Sequence, residues 1–147
     1  MTDVLTPEQR RRNMANIRGR DTRPERIVRS MLHRIGYRYS LHRADLPGKP
    51  DLVFPRLHKI IFVHGCYWHM HDCKYGKVAP ATNAEFWRAK RLSNVRRDKK
   101  TLAALRRAGW QVSIVWECTV RGLDPDVLRK RLVRFLGNRR LAQTLAL

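Results

Sequence analysis

The run His64-Gly65-Cys66-Tyr67-Trp68-His69-Met70-His71-Asp72-Cys73 places two thiols and three imidazoles within ten residues. Structural zinc takes four thiolate or imidazole ligands in a tetrahedron. Cys66, His71 and Cys73 can wrap one ion within this loop, with His69 as the alternative imidazole. A fourth ligand has to come from elsewhere, and Cys118 follows the apolar run Trp110–Glu117. If that run neighbours Lys59–His64 in a sheet, all three cysteines meet at one point. The competing reading is three unrelated buried thiols, which are common in cores. An odd cysteine count with no export signal argues against a disulfide framework and for a metal.

A second set of residues suits a hard ion. Metal-assisted phosphodiester hydrolysis needs carboxylate or carbonyl oxygens for the ion and a base to activate water. Asp51 follows Pro50 at the start of a predicted strand, and His64 ends the strand expected to pair with it. Across an antiparallel hairpin those two ends lie close together. A Pro-Asp opening a strand is a feature of restriction-endonuclease-like nucleases, whose usual Glu-x-Lys pair is missing here. Val63, His64 and then His69 stand in its place. Glu25 is a further carboxylate. Taken singly, Glu25 reads as the capping residue of Thr22, and Asp51 as a residue that opens a strand.

Charge indicates the partner. Lys plus Arg is 32 against 12 acidic residues, a formal +20, and so large an excess repels itself in the folded state. A polyanion relieves it, because each neutralised phosphate releases a condensed counterion. Charge alone does not separate DNA from RNA. Aromatic rings stand among the cations. Tyr67 and Trp68 sit in the Cys/His loop, Phe86-Trp87 open a basic helix, and such rings can stack on bases or wedge between them. Phe86 is expected to face inward and Trp87 outward, while Trp110 and Trp116 read as core.

The elements that must hold these residues follow from periodicity. Residues 6–18 predict a short basic helix capped by Thr6, with Pro7 first and an apolar face limited to Met14, Ala15 and Ile17, so it reads as an arm. Thr22 caps a helix running to Ile35, with Ile27, Val28, Met31, Leu32 and Ile35 at helical spacing and Gly36 after it. Tyr37–His42 predicts a loose strand, and Asp51–Phe54 and Lys59–His64 a hairpin. A long basic helix is expected from Asn83 to Ala108, a buried strand over Trp110–Glu117, and a last helix over Asp124–Leu136 with Val127, Leu128, Leu132, Phe135 and Leu136 inward. A strand, a crossover helix and a further strand imply an α/β fold with a mixed sheet flanked by helices. The 147 residues suit one domain: 1–20 as the DNA-binding arm and 123–147 as the C-terminal helix and basic tail. The opening Met1-Thr2-Asp3 and the shortness of every apolar run predict a cytoplasmic protein with no membrane span.

Several strings together resemble the Vsr (very-short-patch mismatch repair) endonucleases. They are Asn13-Met14, Asp21-Thr22 with Glu25, Leu46-Pro47-Gly48-Lys49-Pro50-Asp51, the whole run His64–Cys73, Glu85-Phe86-Trp87 and Val115-Trp116-Glu117-Cys118. The resemblance covers nearly all of the chain up to Gly122. It implies a bacterial enzyme of restriction-endonuclease-like fold that nicks one strand 5′ to the thymine of a T:G mismatch, the product of 5-methylcytosine deamination. The family works beside a cytosine-5 methyltransferase and mismatch repair proteins, and one cut on one strand implies a monomer. By analogy Asp51 binds magnesium with the backbone carbonyl of Val63. His69 is the general base, and His64 and Glu25 act through water at the metal. Zinc is held by Cys66, His71, Cys73 and Cys118. Tyr67, Trp68 and Trp87 wedge into the duplex, while Asn13 and Met14 approach from the minor groove. Lys90 and Asn94, at i and i+4 on the long helix, match positions near the mismatched pair. The chain departs from the pattern at Val63, where a polar residue is expected, at Tyr67, where Phe is frequent, and in the basic tail after Gly122. Two other readings of the residues stay open: a zinc-stapled nucleic-acid-binding module without catalysis, and a nuclease of the same fold with a restriction-type or relaxed trigger.

Overall fold

The computed structural model describes residues 6–7 and 21–137. The basic arm expected over residues 6–18, with Asn13 and Met14, lies outside the described residues beyond its first two positions, as does the tail past residue 137.

Helix α1 spans Arg23–Ile35, starting where the Thr22 hydroxyl accepts the Glu25 backbone N–H at 3.4 Å. It stops at Gly36, whose φ of 114° lets its N–H return to the carbonyls of Leu32 and His33. Three strands follow: β1 (Ser40–Leu41), β2 (Leu52–Phe54) and β3 (Lys59–His64). Helix α2 (Ala84–Arg107) crosses to β4 (Gln111–Trp116), which runs directly into a short α3 (Glu117–Gly122). Helix α4 (Pro125–Leu136) begins where an Asp124 carboxylate oxygen accepts the Asp126 N–H at 2.9 Å. The strand expected over Tyr37–His42 is only two residues long, Asp51 stands at a bend just before β2, and α3 was not foreseen.

The sheet runs β1-β2-β3-β4, antiparallel across the first three strands and parallel between β3 and β4. This is the mixed α/β arrangement that the pattern predicted. The period of two sorts the strands into two faces. Leu52, Phe54, Ile61 and Val115 point to a core shared with Val28 and Leu32 of α1, Val120 of α3, and Leu128, Leu132 and Leu136 of α4. Val53, Ile60 and Phe62 point the other way, onto Leu105 of α2. Val63 packs on the first core and the alternate residue His64 belongs to the α2 face, so strand alternation aims the histidine at the long helix.

One inward expectation fails, at Val127, which is 42% exposed; Ile27 of the α1 spacing is 38% exposed too, since each lies one residue, a turn of about 100°, from the buried line that contains Val28 or Leu128. Phe135 is half-buried. Trp110 is half-buried at the edge of the second core, packed against it and stacked on His58 at 4.2 Å. No helix among the described residues is long and apolar enough to cross a membrane.

The turn before β2 passes under α2 at Gly48. A Cβ there would lie 2.4 Å from Thr101 Cγ2, and its φ is +76°. Gly48→Ala therefore meets both a clash and a left-handed backbone, and should lose about 2–4 kcal/mol of stability. Adding Thr101→Ala should recover roughly the overpacking half and leave the backbone half. Denaturant unfolding of the two variants checks this; no recovery in the double variant would remove the close approach as the cause.

Candidate functional site

The hairpin β2–β3 sets Asp51 against the end of β3. An Asp51 carboxylate oxygen accepts the Val63 N–H at 2.7 Å, and the Asp51 carbonyl accepts the His42 N–H at 3.3 Å. Burial pushes the Asp51 carboxyl up to about 6 and the Glu25 carboxylate adds to this, while the Val63 N–H, His42 and His69 oppose it. A carboxylate so placed asks for a cation.

His64 and His69 stack with ring centres 3.8 Å apart and planes 6° apart. Burial is the main cause that holds His64 down to about 4, with His69 adding and Asp98 opposing, so it is a neutral imidazole at neutral pH. Its Nδ1 is buried without a hydrogen-bond partner. His69 Nδ1 meets an Asp98 carboxylate oxygen at 2.5 Å. An ionised carboxylate only accepts, so the ring proton stays on Nδ1 and the Nε2 lone pair is free to take another. Asp51, Val63, His64, His69 and Asp98 line a cavity of about 280 Å³, together with Lys49 and Arg97.

Glu25 is buried at the start of α1. Its carboxylate does not turn back to close a capping box. It meets His42 Nε2 and stands 4.0 Å from Arg29 Nη1, which itself reaches Asp21 at 2.6 Å.

The thiols converge as the sheet expectation required. Cys66 and Cys73 come from the loop after β3 and Cys118 from the second residue of α3. Their sulfurs and a His71 nitrogen all lie within 4.8 Å of one another. The Cys118 N–H donates to Cys66 Sγ at 3.3 Å, and Cys118 Sγ is 3.4 Å from His71 Nδ1. The structure brings His71 to the thiols and gives His69 to the other cluster. Three thiols and one imidazole fit a soft four-coordinate ion. Burial pushes the Cys66 thiol up to about 12, so a thiolate there needs a metal cation beside it. Trp116 is half-buried rather than core. It stacks on His71 at 4.1 Å and meets His64 edge-on at 5.4 Å, joining the two clusters.

The rings outside the clusters form a row. Tyr67 meets Trp68 at 5.1 Å, Trp68 meets Trp87 at 5.8 Å, and Trp87 meets Phe86 at 5.2 Å. Phe86 is 63% exposed and Trp87 half-buried on Trp68, the reverse of the expectation, because the loop supplies an aromatic neighbour for Trp87. Lys90 Nζ lies 5.5 Å over the Trp87 ring, and the Asn94 amide donates to the Trp68 carbonyl at 3.1 Å. Sequence reasoning missed Asp98, His42 and Arg91. The one usable signal was Asp98 as a lone acid inside the run Arg96-Arg97-Asp98-Lys99-Lys100.

Comparisons with known proteins agree with one another. Residues 2–75 match the family model described as DNA mismatch endonuclease Vsr. The type II nicking enzyme V.XorIIP of Xanthomonas oryzae pv. oryzae is 50% identical over 131 residues, 89% of this chain and 96% of that protein. The DNA mismatch endonuclease Vsr of Escherichia coli is 42% identical over 139 residues, 92% of this chain and 88% of that protein. The type II nicking enzyme V.NmeAIP of Neisseria meningitidis is 36% identical over 136 residues, 92% of this chain and 95% of that protein.

Two outcomes follow from the geometry. Asp51 has a carboxyl raised above its ordinary 3.8, so its stability contribution is fully present below that value and is lost as pH rises through about 6. In chelator, Asp51→Asn should match the parent near pH 4 and exceed it near pH 7.5 by up to roughly 3 kcal/mol, as read by thermal unfolding. A variant that is less stable at both pH values would contradict the burial argument. Metal analysis of the purified chain should find a soft divalent ion at about one equivalent, reduced by Cys118→Ala, with a Tm lower by on the order of 10 °C and altered Trp fluorescence. Unchanged metal content in Cys118→Ala would take that thiol out of the site.

Proposed function

The chain belongs to the Vsr family of DNA endonucleases, and on that basis we propose that it nicks one strand of duplex DNA 5′ to the thymine of a T:G mismatch, with magnesium at the reacting phosphate and zinc in the Cys/His loop. The observation that carries the reading is the cavity in which Asp51, His64 and the His69–Asp98 pair converge. A Pro-Asp bend opening β2 of a mixed sheet supports the restriction-endonuclease-like fold.

Asp51 and the Val63 carbonyl are the groups that would hold magnesium, whose charge supplies Lewis-acid stabilisation of a phosphate undergoing attack. Val63 serves as well as a polar residue there, since its side chain is committed to the opposite core. His69 Nε2 takes the proton from the attacking water, and Asp98 holds the ring in the tautomer that can do so. His64, kept neutral by burial, and Glu25, steadied by His42, hydrogen-bond water in the site. Lys49 and Arg97 at the cavity wall face the phosphate backbone. The thiols of Cys66, Cys73 and Cys118 with His71 would hold zinc and fix the loop that carries Tyr67 and Trp68. Those two rings with Trp87 wedge into the stack, Lys90 and Asn94 lie beside the mismatched pair, and Asn13 and Met14 of the N-terminal arm meet the minor groove. The eight exposed basic residues of α2 against two acidic ones suit a surface laid along phosphates.

The chain acts as a single nuclease domain and a monomer in the bacterial cytoplasm, associated with the nucleoid through DNA. It works beside a cytosine-5 methyltransferase and mismatch repair proteins. A second reading has a specific support: the 50% identical relative is named a type II nicking enzyme. On that reading the mismatch lies in another sequence context, or the trigger is relaxed.

The experiment is nicking of a labelled duplex with one T:G mismatch in magnesium and in chelator, beside a matched duplex and Asp51→Ala. Cutting of the T strand alone in magnesium is expected, reduced on the order of 10³-fold by Asp51→Ala. Cutting of matched duplex would favour the relaxed trigger. Tight binding without cutting of any duplex would remove the proposal.

A further inference from the structure

Arg91 is 4% exposed, one of the few charged side chains buried among the described residues. A buried cation is expensive unless its donors are satisfied. Its guanidinium faces backbone carbonyls: Nε donates to Tyr67 O at 2.6 Å, Nη1 to Val78 O at 3.2 Å, and Nη2 to Gly76 O. The same guanidinium lies 4.1 Å over the Tyr67 ring. Tyr67 stands before the thiol cluster's His71 and Cys73 in the chain, and Gly76 and Val78 stand after them. One side chain of α2 therefore clasps both ends of the loop. Three steps along the helix, Asn94 holds the next carbonyl, that of Trp68. Gly76 is closed in from its other side, since a Cβ there would meet the His71 carbonyl oxygen at 1.9 Å.

We propose that Arg91 is a positioning residue for the aromatic row: it docks the loop on α2 so that Tyr67 and Trp68 are held rigidly beside Trp87 before DNA arrives. This rests on the wedge reading given above. Ring insertion opens a base step at a cost that loose rings meet only after they are ordered, so advance docking favours distortion of the duplex. The thiol and imidazole cluster draws the loop together around Cys66, His71 and Cys73, and Arg91 sets where that loop sits. Lysine does not replace it, because one ammonium has neither the planar fork nor the stacking face.

The test compares Arg91→Met and Arg91→Lys with the parent and with Trp68→Ala in magnesium. Two duplexes carry the T:G mismatch, one intact and one with an abasic gap at the adjacent step, where no stack has to be opened. Metal content and Tm are read on each protein. The expected result is unchanged metal content and a loss of at least 10-fold in kcat/KM on the intact duplex, mainly in KM. On the gapped duplex both Arg91 variants should fall within about 3-fold of the parent. Arg91→Lys keeps the positive charge without the planar fork and answers the question if Arg91→Met does not fold. Equal losses on both duplexes, or none on either, with a folded Arg91 variant overturn the proposal. If Trp68→Ala cuts the intact duplex as well as the parent does, the wedge reading fails. If Trp68→Ala is impaired and the Arg91 variants are not, only the role of Arg91 fails.

Discussion

The parallel pairing of β3 with β4 stands His64 beside Trp116, and both clusters hang from that register. Because side chains alternate along a strand, His64 and Trp116 project to the face covered by α2, while Val63 and Val115 project into the core beneath α1, α3 and α4. A slip of one residue would send the histidine and the indole into apolar packing and bring two valines into the polar cavity. The same pairing ends β4 where α3 begins, which carries Cys118 to a loop that left β3 some fifty residues earlier. The many buried apolar residues on both faces hold the register, so the chemistry rests on ordinary sheet packing.

Burial then works on the polar groups that the register collects. Asp51 is driven up to about 6, His64 down to about 4 and the Cys66 thiol up to about 12, each toward its neutral form. For the carboxylate and the thiol this disfavours the form that binds cations, and the nearest relief is a bound cation. For His64 it keeps the imidazole uncharged beside His69, whose own proton is held by Asp98. Two stacked rings 3.8 Å apart could not both be cations at small cost. The asymmetry between them, one buried without a partner at Nδ1 and one tied to a carboxylate, separates their chemistry.

Much of this was legible in the sequence, and the reasons are local. Ile60–Val63 is a continuous apolar run within the strand Lys59–His64, Thr22 and Gly36 bracket a helix, and Cys118 follows an apolar run that had to pair somewhere. These features depend on periodicity and caps, which act over a few residues. Illegible were the groups whose meaning arises from a partner far along the chain. Asp98 is one acid among helix cations until β3 delivers His69 to it. His42 ends the loose strand predicted over Tyr37–His42, which offers no sign of a partner, and it acquires a role only where α1 brings Glu25. Arg91 reads as one more phosphate-facing cation, yet it is buried. Phe86 and Trp87 were exchanged because helical period alone cannot say that a loop will offer Trp68 as a neighbour.

The residues proposed for recognition and those proposed for cutting share one piece of chain. The loop after β3 holds the thiol cluster, begins with the rings Tyr67 and Trp68, and continues into His69, whose ring reaches back to Asp98. Trp116 stacks on His71 from the cluster and touches His64 from the cavity, so a rigid shift of the loop would be felt at both. A nuclease with +20 of formal charge meets phosphates everywhere along a duplex, and affinity of that kind carries no sequence or mismatch information. On the wedge reading proposed above, selectivity enters through a step that depends on duplex deformability, and the row of rings is where the chain would meet that property. With His69 one residue from Trp68, a loop seated by a yielding base step would, on that reading, also have its histidine in place.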